Sequence, residues 1–191
     1  MDELSDDDLI LMYAQGDADA FDVLFDRHHT SVYNFARLML DGPEGAEEIM
    51  QEAFLAVARA AKRYEPRSRF RPWLMRIVRN LCLNRLQTER GRRRILAEGA
   101  MEGIELISRE PAAPARIERD EDMAALQSAV RRLPERQREA IVLYAFEQMS
   151  YQEIGQVLGV PINTVKSLIH RARANLAGGL AQDTEGKTDG V

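Results

Sequence analysis

The sequence predicts an all-α protein built as two small helical domains joined by a linker. Three observations carry this. Apolar residues recur at spacings of three and four through two long blocks, the period of a helix with one buried face. Alternating Val/Ile/Thr runs and Asn-Gly turns, the signals of strands and hairpins, are absent. Between the blocks the periodicity decays into a stretch mixing Gly and Glu with a Pro-Ala-Ala-Pro element, the composition of a linker. The expected division is a first domain over 1–94, a linker over 95–118, a second domain over 119–177 and a flexible tail over 178–191.

A first short helix is expected from Ser5, with Asp6, Asp7 and Asp8 in its first turn, where acids favour the helix dipole. Gly16 ends it. A second helix covers about Ala18 to Leu40, with Phe21, Leu24, Phe25, His28, Val32, Phe35 and Met39 on one continuous stripe. Asp41-Gly42-Pro43 stops it and starts a third helix, about Glu44 to Ala61. There Ala46, Ile49, Ala53, Phe54 and Val57 form the core stripe, while Glu47, Glu48, Gln51, Glu52 and Leu55 lie largely on other faces. That acidic side is either simply solvated or a docking face for a basic partner.

The segment from Lys62 to Arg94 holds twelve Lys or Arg against two acids, a formal charge of +10 in a chain whose net charge is −5. Positive charge concentrated in one strip of an acidic protein marks a polyanion-binding surface. Its front, Arg63 to Arg69, contains Pro66 and no periodicity and reads as a loop, with Ser68 placed to cap the helix that follows. On that fourth helix, Leu74, Val78 and Leu81 form the buried side. Trp73, Arg76, Asn80 and Asn84 share an arc of roughly 80° at about 100° per residue, away from its centre. One tryptophan, one cation and two amides on a common stripe make a poor core. With Tyr64 and Phe70 nearby, cations and flat rings are the equipment for gripping unstacked single-stranded bases.

In the second domain a helix runs from about Arg119 to Leu133, stopped by Pro134, and another from Glu135 to about Glu147. Ser150 and Glu153 then form a capping box, with Ile154, Val157 and Leu158 on the inner face of a short helix. Gly159 supplies a turn, and Val160, Ile162, Val165, Leu168, Ile169 and Ala172 form the inner face of the next helix. This is the helix-turn-helix unit, and Gly155 leaves room for its second helix to pack closely. If that helix enters a major groove, it presents Asn163, Thr164, Lys166, Ser167, His170, Arg171 and Arg173.

Several classes of function are excluded or left unsupported. The single cysteine, Cys82, forbids an internal disulfide or a cysteine-cluster metal site, and its apolar neighbours mark it as a small buried hydrophobe. No apolar run is long enough to cross a bilayer, and the acidic start MDELSDDDLI is unlike a secretory signal. A cytoplasmic protein is expected. His28 and His29 belong to no ligand constellation and fall on or beside an apolar helix face. Nothing has the spacing of a nucleophile with its base, or of a phosphate-cradling loop. No enzymatic activity and no cofactor are expected.

The stretches GDADAFDVLFDRHHTSVYNFARLML, GAEEIMQEAFLAVARA and RFRPWLMRIVRNLCLNRL, followed by LPERQREAIVLYAFEQMSYQEIGQVLGVPINTVKSLIHRARANL, together resemble the extracytoplasmic-function (ECF) group of alternative bacterial sigma factors. The resemblance covers about residues 8–90 and 120–177. It implies sigma domain 2-like and sigma domain 4-like units that lend promoter specificity to RNA polymerase. Glu48, Gln51, Glu52 and Leu55 would dock on the clamp of the polymerase's largest subunit, with the flap as a further contact. Arg63, Tyr64, Arg67, Arg69, Arg71, Trp73, Arg76, Asn80 and Asn84 would hold the single-stranded −10 element. The outward residues Asn163 to Arg173 would read the duplex −35 element. An anti-sigma factor is an expected partner, and the free protein is expected to be a monomer. Many relatives carry a tryptophan near the end of the acidic helix, where this chain has Ala58 to Ala61. The alternative is a stand-alone regulator using the helix-turn-helix alone, which would bind duplex tightly without polymerase.

Overall fold

The computed structural model describes residues 4–40, 43–66, 69–99 and 126–185, and among these every regular element is helical. Helix α1 (Asp6–Ala14) starts where Ser5 caps it, the Ser5 hydroxyl accepting from the Asp8 amide. Gly16, at φ +110, turns the chain into α2 (Ala18–Met39), whose N-cap is Asp17. Then come α3 (Pro43–Ala60), a 3-10 turn (Ala61–Arg63) and the long α4 (Phe70–Gly99). The expected stop at Asp41-Gly42 and the Ser68 cap lie outside the described residues.

The first bundle closes as its stripes dictate. Helix α2 packs on α1 and α3, and α4 closes against α3. Leu24, Val32, Phe35 and Met39 of α2 and all five core residues expected on α3 are buried. Phe21 and Phe25 lie half-buried in ring contact with Phe54. The acidic run of α1 does more than favour its own dipole. Asp6 pairs with Arg27 and His28 on α2. Asp7 accepts from the Tyr64 hydroxyl and from the Phe70 amide at 3.0 Å, holding the first turn of α4 from another helix.

Burial pushes the Asp6 carboxyl up, but hydrogen bonds from His28 and Arg27 outweigh it and hold the group below its ordinary value. A carboxyl depressed by folding contributes stability that is present above its unfolded pKa and lost as pH falls through the folded one. The thermal midpoint of the wild-type chain should therefore drop more steeply below about pH 4 than that of Asp6→Asn. Parallel melting curves across that range would disprove the role given to Asp6.

The second bundle comprises α5 (described over 126–132), α6 (Glu135–Ile141), a π-helical turn (Val142–Phe146), α7 (Tyr151–Leu158) and α8 (Ile162–Glu185). The helix expected to run evenly to Glu147 instead widens at Val142, with the Glu147 amide reaching back to the Val142 carbonyl at 3.1 Å. Gln148, at φ +51, turns the chain out of it. The Ser150/Glu153 capping box is complete. Helix α8 continues to Glu185, into the stretch from 178 onward expected to form the tail.

The two bundles do not stand apart. Helix α4 packs on α7, and α2 on the π-helical turn. This accounts for a difference from the expected buried side of α4. Leu74 and Val78 are buried as expected, but Leu81 is only half-buried, while Met75 and Cys82 are fully buried. Met75, Arg79 and Cys82 occupy a second arc, about 100° beyond the first by helical projection. That arc is turned toward the second bundle: the Arg79 guanidinium meets Glu139 of α6. Burial, with the Glu139 charge nearby, pushes the Cys82 thiol up to about 12.

Candidate nucleic-acid interface

Helix α4 has three sides: one inside its own bundle, one against the second bundle, and one left open. The open side carries Arg76, Asn80 and Asn84, all exposed, with Trp73 half-buried at its head. The Trp73 ring rests edge-on against Tyr64 at 4.9 Å and tilted on Phe70 at 5.8 Å. These two rings, themselves buried, fix where the indole sits. Tyr64 is thus a correction to the expected set. Only 7% exposed and donating its hydroxyl to Asp7, it braces Trp73 and presents no free face to a base. Burial and the neighbouring Asp7 raise its phenol well above the ordinary value.

Arg63 and Arg69 are exposed at the front of the strip, and Arg67 lies outside the described residues. Arg71 is engaged by the second bundle. Its guanidinium donates to the Glu147 backbone carbonyl and pairs with the Glu147 carboxylate at 3.3 Å. Arg79, which the sequence reading did not single out, is more deeply committed. It pairs with Glu139 at 2.8 Å with only 11% of its side chain exposed. It also donates to the Asn80 amide oxygen at 3.4 Å. The charge strip gave its sign but not its partner.

In the second bundle the turn geometry follows from two glycines. Gly159 adopts φ +65, where a side chain would be strained. At Gly155 the added Cβ would lie 2.9 Å from the Val160 carbonyl oxygen, so only glycine lets the turn close onto α7. Val165, Ile169 and Ala172 are buried and Leu168 half-buried, as expected. Ile162 is 39% exposed instead. Asn163, Thr164, Lys166, Ser167, His170, Arg171 and Arg173 are all exposed on the outer face. The Ser167 hydroxyl donates back to the Asn163 carbonyl at 3.0 Å, and Arg173 lies 5.0 Å over the Tyr144 ring. Amides, cations and hydroxyls on one exposed helix face can meet base edges and phosphates together.

On α3, Glu48, Gln51, Glu52 and Leu55 form an exposed patch, with Leu55 at 54%. Glu48 is paired with Arg85 of α4. Both groups are at the surface, where such a pair holds little energy.

Helical throughout its described residues, with an open Trp-Arg-Asn-Asn stripe on one bundle and a helix-turn-helix on the other, the chain has the equipment of a two-domain nucleic-acid-binding protein. Residues 24–92 match the model of sigma-70 region 2 and residues 123–176 that of sigma-70 region 4. The chain is 35% identical over 92% of its length to the ECF RNA polymerase sigma factor SigM of Mycobacterium tuberculosis, covering 84% of that protein. It is 32% identical over 85% of its length to SigW of Bacillus subtilis, covering 89%. SigE of Mycolicibacterium smegmatis is 38% identical over 85% of this chain, which spans 62% of that longer protein. Among solved structures, CnrH in complex with the cytosolic domain of CnrY superposes with a TM-score of 0.72 at 28% identity, over 93% of this chain and 98% of that one. The sigma factor RpoE in complex with the anti-sigma factor NepR from Bartonella quintana gives 0.65 at 25% identity, over 84% and 96%. The chain belongs to the ECF group of RNA polymerase sigma factors.

Proposed function

We propose that the chain directs promoter-specific initiation by reading melted −10 strand with one domain and duplex −35 element with the other. The observation that carries this is the open side of α4. Trp73 is braced by two buried rings while Arg76, Asn80 and Asn84 face solvent along the same stripe. A fixed indole offers a stacking platform, the amides offer hydrogen bonds to base edges, and Arg63, Arg69 and Arg76 supply backbone neutralisation. On α8, Asn163, Lys166, His170, Arg171 and Arg173 would meet base edges and Thr164 and Ser167 phosphates. The working units are residues 1–94 and 119–177, joined by 95–118. The chain would do no chemistry of its own and act in the cytoplasm; among the described residues no helix is long and apolar enough to cross a membrane. A separate inhibitor that covers these faces would set its timing; the similar structure of RpoE is a complex with an anti-sigma factor.

Runoff transcription from genomic fragments tests the reading directly. Core polymerase plus the chain should yield discrete transcripts that core alone does not, and the absence of any new start site would overturn it. The α3 patch gives a second check. Glu48→Lys with Glu52→Lys should weaken association with core polymerase about tenfold or more, since it places like charge on a docking face. Stability should change by less than about 1 kcal/mol, because the lost Glu48–Arg85 pair is exposed. Unchanged core affinity would mark those acids as merely solvated.

A further inference from the structure

Two carboxylates of the second bundle sit on cations of the first. Glu139 of α6 is fully buried, and its carboxylate meets the Arg79 guanidinium at 2.8 Å and 3.3 Å. Glu147, 4% exposed, lies between Arg71 of α4 and the Ser31 hydroxyl of α2. Around them Arg131 donates to the Arg37 carbonyl, Arg138 to the Met39 carbonyl, and Arg90 pairs with Glu135. Each of these contacts joins one bundle to the other.

A carboxylate without a counter-charge is not tolerated in a dry interior. Glu139 therefore has a reason to be buried only while Arg79 is opposite it, and both return to water when the bundles part. Closure is also imperfectly satisfied: Arg79 Nε and Glu139 Oε1 are close but out of hydrogen-bond alignment, and Arg131 Nε has no aligned partner. Such a buried pair fixes geometry more than it adds strength, which suits a contact meant to open. Its position is specific too. Arg71 belongs to the strip assigned to the −10 strand, and Arg79 bonds the Asn80 amide on the reading stripe.

We infer that Glu139 and Glu147 form an internal latch, in which the −35-reading domain lays two carboxylates on the cations beside the −10-reading stripe and holds the free chain closed. The carboxylates stand where strand phosphates would otherwise be neutralised, so closure and promoter engagement compete for the same guanidinium groups. This rests on the sigma reading for its purpose, but the closure itself can be tested without polymerase or promoter.

Spin labels at Asp22→Cys on α2 and Ala174→Cys on α8, both exposed positions, report the separation of the bundles in the full chain. The wild type should give a single short distance. Glu139→Lys should raise the population of longer distances about tenfold or more, as expected for breaking a buried pair from one side. Arg79→Glu should do the same, and the combined exchange Arg79→Glu with Glu139→Arg should return the short distance. The restored pair also shows that the single variants fold. A broad wild-type distribution, single reversals that leave it unmoved, or an exchange that fails to restore closure would each overturn the latch. Adding core polymerase to the wild type should lengthen the distance. If core leaves it unchanged while the reversals still open the chain, the latch stands and the sigma reading of the site fails.

Discussion

Trp73→Ala, with Asn80 and Asn84 also changed to alanine, is expected to reduce initiation at a cognate promoter by about 5- to 150-fold or more while leaving core affinity near that of the wild type. That range corresponds to about 1–3 kcal/mol for one lost base stack, and the amides add to it. The separation of readouts follows from geometry. The stripe lies on the open side of α4, whereas Glu52 and Leu55 face solvent from α3. The defect should lie in strand capture, so a template already melted across the −10 region should recover part of the lost rate, because the cost of unstacking has been removed. Trp73 is the chain's single tryptophan, so its fluorescence should change on adding single-stranded −10 oligonucleotide to the polymerase complex. Equal loss of core binding in the triple variant would move these residues from the strand to the enzyme interface.

What the sequence disclosed was whatever one helix records about its own faces. The stripe of α2, the five core residues of α3, the capping box at Ser150 and the turn glycine at 159 are local patterns, and each is found where its spacing puts it. The outward face of α8 was legible for the same reason. Contacts between distant segments were not. Tyr64 carries the mark of a stacking ring, but Asp7 claims its hydroxyl from a helix more than fifty residues earlier. Cys82 was legible as a small buried hydrophobe from its apolar neighbours, but the side of α4 it shares with Met75 and Arg79 was not, because that side faces the second bundle. The charge pattern placed Arg79 in a basic strip, yet nothing in the text of the chain pairs it with a glutamate sixty residues on. The widening at Val142 is a further case, since its composition is that of an ordinary apolar helix end.

Gly155→Val is expected to abolish −35 recognition while leaving the first bundle folded. Even the Cβ of alanine would stand 2.9 Å from the Val160 carbonyl oxygen, and that atom belongs to the backbone, so no rotamer change relieves the clash. The turn must open, which draws α8 off α7 and uncovers Ile154, Val157 and Val165, all buried now. Overpacking of this kind costs about 1–3 kcal/mol and occasionally more, and the second methyl-bearing branch of valine places this variant at the upper end. Gly159→Ala is the matched control. Its φ of +65 is strained for alanine, but nothing lies within 4 Å of the added carbon, so the cost should stay near 1–2 kcal/mol. Backbone amide spectra should show the resonances of α7 and α8 lost or broadened in Gly155→Val and merely shifted in Gly159→Ala. Duplex binding should rank wild type, Gly159→Ala, Gly155→Val. If the two variants are equally impaired, left-handed strain and not the close approach of the Val160 carbonyl governs the turn.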